Sequence, residues 1–247
     1  MTKINKMKNR IIIFDNIRFF DYSFKKILEI ILKGGLLVAP AASALTYVKS
    51  NKIYRKSLAN SNIAIFDSGF FCLLLRIIKN INVTKFSGYK FLKLFLNDKS
   101  VQNLKILIVD PNKDESKSNL KLLKKKHFKN IINYVAPIYK KIEDQKLLRL
   151  INKERPKIVL INIGGGKQEP LGYFLKQKVK FQITIICTGA AIAFLTNKQA
   201  PVNDTIDKYY LGWLIRFLYN PADFKRIFVS LKLITLVLKS KIKIIRN

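Results

Sequence analysis

The chain predicts an α/β fold built on a mostly parallel, doubly wound sheet, and three observations carry that expectation. Short apolar runs, at 36–38, 63–66, 104–109, 131–135, 158–163 and 181–186, alternate with segments whose apolar residues recur at helical spacing. Several of these runs end in small or turn-forming residues: Ala39-Pro40-Ala41, Asp67-Ser68-Gly69, Asp110-Pro111-Asn112 and Gly164-Gly165-Gly166. In open parallel sheets such loops at the strand carboxyl ends form the binding crevice. Finally, 247 residues with 49% hydrophobic content suffice for one large core, and no solenoid repeat competes with that reading.

Taken in order, residues 11–14 read as a short buried strand. Ser23 is placed to cap a helix in which Phe24, Ile27, Leu28, Ile31 and Leu32 recur at helical spacing, and Gly34-Gly35 closes it. Leu36-Leu37-Val38 is a strand that stops at Pro40. A helix is expected over 45–59, then the strand 63–66, then a helix over 70–78. Beyond the strand 104–109, a basic helix covers 118–126, and 131–135, 142–151 and 158–163 supply strand, helix and strand. The run at 181–186 adds a further strand, ending in the turn Thr188-Gly189-Ala190.

Charge narrows the partner classes. Lys and Arg number 47 against 15 Asp and Glu, a net charge of +32, which suits an anionic partner such as nucleic acid or anionic lipid. A Lys-, Ile- and Asn-rich composition also arises from base composition in a genome. No RRM, KH, zinc-finger or helix-turn-helix signature is present, and aromatic residues do not interleave with the lysine runs, so no specific nucleic acid is expected. Cys72 and Cys187 stand far apart in apolar surroundings and read as small buried side chains in a reducing compartment. The one histidine, His127, follows three lysines as a solvated helix-end residue, which excludes a His-based triad or multi-His metal site within one chain. Asp110, Asp114 and Glu115 are explained by a turn and a helix N-terminus better than by a metal. No secretory signal is apparent, and the uncharged stretch 181–197 falls short of a membrane span.

Two turns carry candidate chemistry. Gly164-Gly165-Gly166-Lys167-Gln168-Glu169 follows a strand and opens a helix, so its glycines can adopt φ > 0 and let a ligand approach backbone N–H groups. The alternative is a tight β–α turn with solvated Lys167 and Glu169. Asp67 stands at the mouth of a strand, where a carboxylate can take a proton from a hydroxyl nucleophile or hold a ribose. The alternative is an Asp that caps the next helix.

The glycine turn, Thr188-Gly189-Ala190-Ala191-Ile192-Ala193-Phe194, Gln199-Ala200-Pro201, Trp213 to Arg216 and Arg226 resemble, in order and spacing, the WecG/TagA/CpsF glycosyltransferases. Upstream, Val38-Ala39-Pro40-Ala41 and Phe66-Asp67-Ser68-Gly69 resemble the family's T-P-N and D-G segments. The resemblance implies a Rossmann-like enzyme that moves an N-acetylhexosamine from a UDP-sugar to a polyprenyl-diphosphate-linked sugar, with no metal or other cofactor. On this resemblance Asp67 is the catalytic base and Gln168 holds the sugar or nucleotide. Gly164, Gly165, Gly166, Lys167, Glu169, Gly189 and Ala190 line the donor site, while Lys85, Arg216 and Arg226 neutralise charge on the leaving UDP. Ala39, Ala41, Lys90, Ala193 and Gly212 replace residues that are polar or acidic in the family, so a second expectation is a catalytically impaired or differently specific homologue that binds lipid carrier or partner enzymes.

The expected division is a glycosyltransferase domain over 1–208 and a basic appendage over 209–247. If residues 225–247 form one helix, Lys225, Lys232, Lys239, Lys243 and Arg246 share a sector, away from Ile227, Leu231, Ile234, Leu238 and Ile245. That is the pattern of a helix lying on anionic lipid, although a surface helix of the globule looks similar. The expected location is therefore cytoplasmic, peripheral on the inner face of the cell membrane. Family members can form homo-oligomers, and no stripe in this chain marks the interface.

Overall fold

The computed structural model describes residues 9–189, 191–196, 198 and 224–246, with side chains from residue 228 onward in the last segment. The chain opens with a hairpin of β1 (Arg10–Phe14) and β2 (Ile17–Asp21) across Asp15-Asn16, whose φ values are 49° and 65°. Two adjacent positive φ angles match the twist of paired strands, and Asp and Asn tolerate them. The sequence reading had one strand here. After α1 (Phe24–Ile31), capped by Ser23 as expected, comes β3 (Gly35–Val38).

The helix expected over 45–59 is divided. It consists of α2 (Ala42–Leu45), a 3-10 turn (Thr46–Val48) and α3 (Lys52–Ala59), which Asn51 caps through its side chain. The two-residue strand β4 (Ile63–Ala64) leads to α4 (Gly69–Lys79), and α5 (Gly88–Asn97) and α6 (Lys99–Gln102) follow. The sequence reading passed over α5, although Ser87 caps it and Phe91, Leu92, Phe95 and Leu96 bury one face. The remaining core alternates as expected: β5 (Ile106–Asp110), α7 (Lys113–Lys125), β6 (Ile131–Val135), α8 (Gln145–Glu154), β7 (Ile158–Ile161), α9 (Gln168–Lys178) and β8 (Thr184–Cys187), followed by a short helix the sequence reading did not include, α10 (Ala191–Leu195).

With β9 (Ile242–Arg246) from the tail, these strands form, among the described residues, one nine-stranded sheet, ordered β6-β5-β7-β8-β3-β4-β2-β1-β9. From β6 to β2 every pairing is parallel. Alternation along each strand separates two cores. Leu107, Val109, Val159 and Ile161 face a layer with Leu58, Leu75, Ile151 and Leu175, whereas Ile106, Ile108, Ile158 and Leu160 face Ile27, Phe91 and Leu123. Parallel strands buried on both faces read as continuous apolar runs, which is why they were legible.

The tail departs from the expected single helix. Here α11 (Phe224–Lys239) ends at Lys239 and the chain turns into β9 (Ile242–Arg246), which pairs antiparallel with β1. Leu233, Leu236 and Val237 of α11 are buried, and the helix packs on α2, the 3-10 turn and α4. Lys243 and Arg246 therefore belong to an edge strand, and Leu231 and Leu238 are exposed beside Lys232 and Lys239. Among the described residues no helix is long and apolar enough to cross a membrane.

Candidate active site at the carboxyl edge of the sheet

The register places Val109, Ile161, Cys187, Val38 and Ala64 in one row across the sheet. The loops after β3, β4, β5, β7 and β8 thus leave from one edge, and the sequence-distant Asp67, Gly88, Gln168 and Gly189 converge there.

Asp67 does not cap α4. Ser68 does so, its hydroxyl accepting from Phe71 N–H at 3.1 Å. Asp67 Oδ1 instead accepts from Gly88 N–H at 2.8 Å, at the start of α5, and its carboxylate stays half-exposed. The cap of α4, the alternative expected for Asp67, is thus supplied by Ser68, and Asp67 instead holds the first N–H of α5. Gly88 is a glycine for reasons of space, since a Cβ there would stand 3.0 Å from the Thr188 carbonyl oxygen and 3.2 Å from the Ala39 Cβ. This close approach draws the β3, β8 and α5 loops into one crevice wall.

Lys85 lies in the segment before α5, which is anchored where Thr84 N–H donates to Asp21 Oδ1 at 3.2 Å and Phe86 N–H to the Phe66 carbonyl at 2.9 Å. Burial pushes the Cys72 thiol up, Lys85 draws it down, and Asp67 and Asp21 raise it further. Lys85 and Asp67 therefore act on the same thiol in the first turn of α4. Cys187 is also raised by burial, and both cysteines are free and buried, as read from sequence. His127 is exposed just beyond α7.

The glycine turn uses its freedom as expected: φ is +84° at Gly164 and +86° at Gly166, and a Cβ on any of the three glycines would meet open space. Lys167 is exposed, its Nζ 3.4 Å from the Tyr139 carbonyl oxygen. Gln168 and Glu169 turn inward instead of lining the crevice, each 1% exposed. Gln168 Oε1 accepts from Gly189 N–H at 2.9 Å, and Gln168 Nε2 donates to Glu169 Oε1 at 3.1 Å. Glu169 Oε2 accepts from Gly166 N–H at 2.8 Å. Gly189 N–H can only donate, so this chain of bonds fixes which way the Gln168 amide faces.

This network changes the meaning of the helix terminus. The N-terminus of α9 was read as a ready-made anion site, yet the chain's own Glu169 carboxylate turns back over it, accepting from Gly166 N–H, with its own backbone N–H also drawing its pKa down. Burial raises Glu169 to about 7, against the lowering effect of those donors and of Gln168, with a further upward push from Asp67. The solvated reading of Glu169 is corrected by the same contacts.

Sequence reasoning missed two buried features of this edge. Tyr54 of α3 is 1% exposed with no partner for its hydroxyl, which burial and then Glu169 push upward. Asp110 at the end of β5 accepts through Oδ1 from Asn119 Nδ2 at 2.7 Å and Asn162 Nδ2 at 2.8 Å, leaving Asp110 Oδ2 and Asn162 Oδ1 buried without partners. Asp114 and Glu115 lie in the first turn of α7, as expected for a helix N-terminus. Among the described residues no three His, Cys, Asp or Glu side chains gather as a metal site.

Ala39 and Ala193 are buried in the crevice region and Ala41 is half-buried. Ala190 and Arg216 lie outside the described residues, as does the side chain of Arg226. In comparisons with known proteins, the model of the glycosyl transferase WecG/TagA/CpsF family matches residues 11–247. No curated protein matches the chain significantly.

Proposed function

The chain belongs to the WecG/TagA/CpsF family of glycosyl transferases, and from that premise we propose that it transfers an N-acetylhexosamine from a UDP-sugar to a polyprenyl-diphosphate-linked sugar during assembly of a surface polysaccharide or teichoic acid linkage unit. The observation that carries this reading is the run of contacts at the sheet edge, from Asp67 through Gly88 and Thr188 to Gly189, Gln168 and Glu169.

In the proposed reaction an acceptor hydroxyl oxygen attacks the anomeric carbon of the donor as the bond to UDP breaks. The hydroxyl proton passes to the Asp67 carboxylate, and UDP leaves with the bonding electrons. Lys85, Arg216 and Arg226 balance the charge that gathers on UDP. The diphosphate approaches the open face of the glycine turn, and Gln168 shapes the crevice from behind by holding the Gly189 amide. Reaction takes place at an anionic membrane surface on the cytoplasmic side, with no metal.

Calorimetry with UDP tests the reading. The wild-type protein is expected to bind saturably, and Gln168→Ala to weaken binding about tenfold, the loss of one buried hydrogen bond. Asp67→Ala should keep UDP affinity and lose transfer by about a hundredfold or more. Absence of UDP binding by folded wild-type protein would sink the catalytic reading. A non-catalytic homologue that binds lipid carrier or partner enzymes would then lead, a role favoured by the apolar side chains of buried Ala39 and Ala193.

A further inference from the structure

Five buried side-chain polar atoms among the described residues have no hydrogen-bond partner: Asp15 Oδ2, the Tyr54 hydroxyl, Asp110 Oδ2, Asn162 Oδ1 and Thr188 Oγ1. A buried polar group left unmet lowers stability, so each calls for a reason. Asp110 and Asn162 are joined to each other through their other side-chain atoms, Asp15 sits in the β1–β2 turn, and Tyr54 belongs to α3. Thr188, 6% exposed, packs instead against Gly88, whose N–H holds Asp67.

The sheet explains how it comes to be there. Val38 and Cys187 are paired across β3 and β8, and Ala39 N–H donates to the Cys187 carbonyl at 3.0 Å, so Ala39 and Thr188 leave the sheet side by side. One alternation upstream, Leu37 and Ile186 face the layer that contains Phe91 of α5, and Ala39 lies in that layer. Thr188 follows the same alternation. A Cβ on Gly88 would stand 3.2 Å from the Ala39 Cβ and 3.3 Å from the Thr188 Cβ, which puts both side chains against one point of the crevice wall. Asp67 Oδ1 accepts from the N–H of that same glycine at 2.8 Å. A carboxylate, a methyl and a hydroxyl thus meet around Gly88. The methyl can make no hydrogen bond, and the hydroxyl makes none within the described protein.

The chemistry proposed for Asp67 says which part of a donor meets this wall. Asp67 takes the proton of the hydroxyl that attacks the anomeric carbon, so that carbon lies close to its carboxylate. The group nearest to the anomeric carbon on the sugar ring is the C2 substituent, which in an N-acetylhexosamine is an acetamido group. Its carbonyl accepts, its N–H donates, and its methyl is apolar. The Thr188 hydroxyl can donate to the carbonyl or accept from the N–H, and the Ala39 methyl offers apolar contact. Staggered χ1 wells carry Oγ1 to different sides of Cβ, so the hydroxyl can turn toward a ligand without backbone movement.

We propose that Thr188 is a specificity-determining residue of the donor site, its hydroxyl bonding the C2 acetamido group of the transferred sugar. It supplies a hydrogen bond at the place where Ala39, on the neighbouring strand end, has none to give. This rests on the UDP-sugar reading above and adds to it a named contact. The hydroxyl destabilises the free protein and is satisfied in the complex, so one substitution moves stability and binding in opposite directions.

The test is calorimetry on the full chain with UDP, UDP-N-acetylmannosamine, its C2 epimer UDP-N-acetylglucosamine, and UDP-2-deoxyglucose, which has no C2 substituent. Thr188→Val keeps the shape of the side chain and removes the hydroxyl, whereas Thr188→Ser keeps the hydroxyl. Wild type should bind one N-acetyl epimer more tightly than UDP-2-deoxyglucose. Thr188→Val should bind that epimer about threefold to tenfold more weakly, the loss of one hydrogen bond between neutral groups, with unchanged affinity for UDP and UDP-2-deoxyglucose. Thr188→Ser should recover most of the loss. In urea, Thr188→Val should be at least as stable as wild type.

An equal loss for UDP and for the N-acetyl epimer would assign the effect to the nucleotide or the fold and overturn the proposal. So would a Thr188→Val protein less stable than wild type, because the hydroxyl would then have a partner within the fold. If Thr188→Val binds the epimer as tightly as wild type does, or wild type does not prefer it to UDP-2-deoxyglucose, the Thr188 assignment fails while the transferase reading stands. If folded wild type binds none of the four compounds, both fail.

Discussion

Glu169 and Asp110 are carboxylates buried at the same edge of the sheet, one in the first turn of α9 after β7 and the other at the end of the adjacent β5, and they are satisfied in opposite ways. Each oxygen of Glu169 has a donor, from Gly166 N–H and Gln168 Nε2. Asp110 takes two side-chain donors on Oδ1, and its Oδ2 has none. Burial is the largest influence on both and pushes both upward. What separates them is the source of their donors. Glu169 takes one backbone N–H, from Gly166, and one side-chain amide that Gly189 N–H holds in place, whereas Asp110 depends on side chains alone, those of Asn119 and Asn162, with Ser116 beside them. The first arrangement sets the shape of the proposed donor site, and the second closes a joint between β5, β7 and α7.

The largest effect that follows is for Glu169→Ala. It leaves Gly166 N–H and Gln168 Nε2 without acceptors in a buried site, at a cost of about 1–3 kcal/mol for each unmet donor. A loss of about 3 kcal/mol in urea unfolding is expected, with UDP affinity falling because Gln168 is no longer held against Gly189. A variant as stable as wild type would mean that the two carboxylates are not different in kind.

The next effect concerns pH. Glu169 is raised to about 7 in the folded chain. Between the ordinary carboxylate value and about 7, the folded state keeps a proton that the unfolded state has released, so stability declines as pH rises through that interval. A shift of this size corresponds to about 3 kcal/mol. Asp110 is also raised and acts with the same sign. Urea unfolding from about pH 5 to about pH 8 should show the decline, and Glu169→Gln should flatten it. A wild-type profile that rises with pH would overturn the assignment.

The two carboxylates also show what a sequence discloses. The parallel core was legible because strands covered on both faces must be continuously apolar, and Ser23 was legible as a cap because the signal is local. The turn at Asp15-Asn16 was equally local, yet Ile17-Arg18-Phe19-Phe20 went unread as its second strand, and α5 went unread although Phe91, Leu92, Phe95 and Leu96 recur at helical spacing. At the site, Asp67 and the glycine turn could be named from residue type and position. The inward course of Glu169 could not, because its surroundings depend on Gly189, Gln168 and α3 meeting in space. Asp110 is bonded to residues 9 and 52 positions away, a separation that leaves no periodic trace. The tail was misread because 3.6-residue spacing was carried past Lys239 into a strand, where alternation governs.

The smallest predicted effect is the sharpest test of the contrast. Asp110→Asn retains an oxygen to accept from Asn119 and Asn162 and replaces the unpartnered Oδ2 with an N–H donor, in a joint where Asn162 Oδ1 is itself a buried acceptor without a donor. It also removes a group whose charged form burial disfavours. An isosteric change that supplies a missing donor is expected to leave stability unchanged or raise it by about 1 kcal/mol. The measurement is urea unfolding at neutral pH, beside Glu169→Gln. At Glu169 the same chemical change places an amide donor where both oxygens already face donors, so it should destabilise there. Opposite signs for one substitution type at two neighbouring strand ends would tie the difference to their donors and not to burial, which they share. If Asp110→Asn cost about 2 kcal/mol or more, its carboxylate would be needed in ionised form, and the joint would have to hold a donor that pairs with Oδ2.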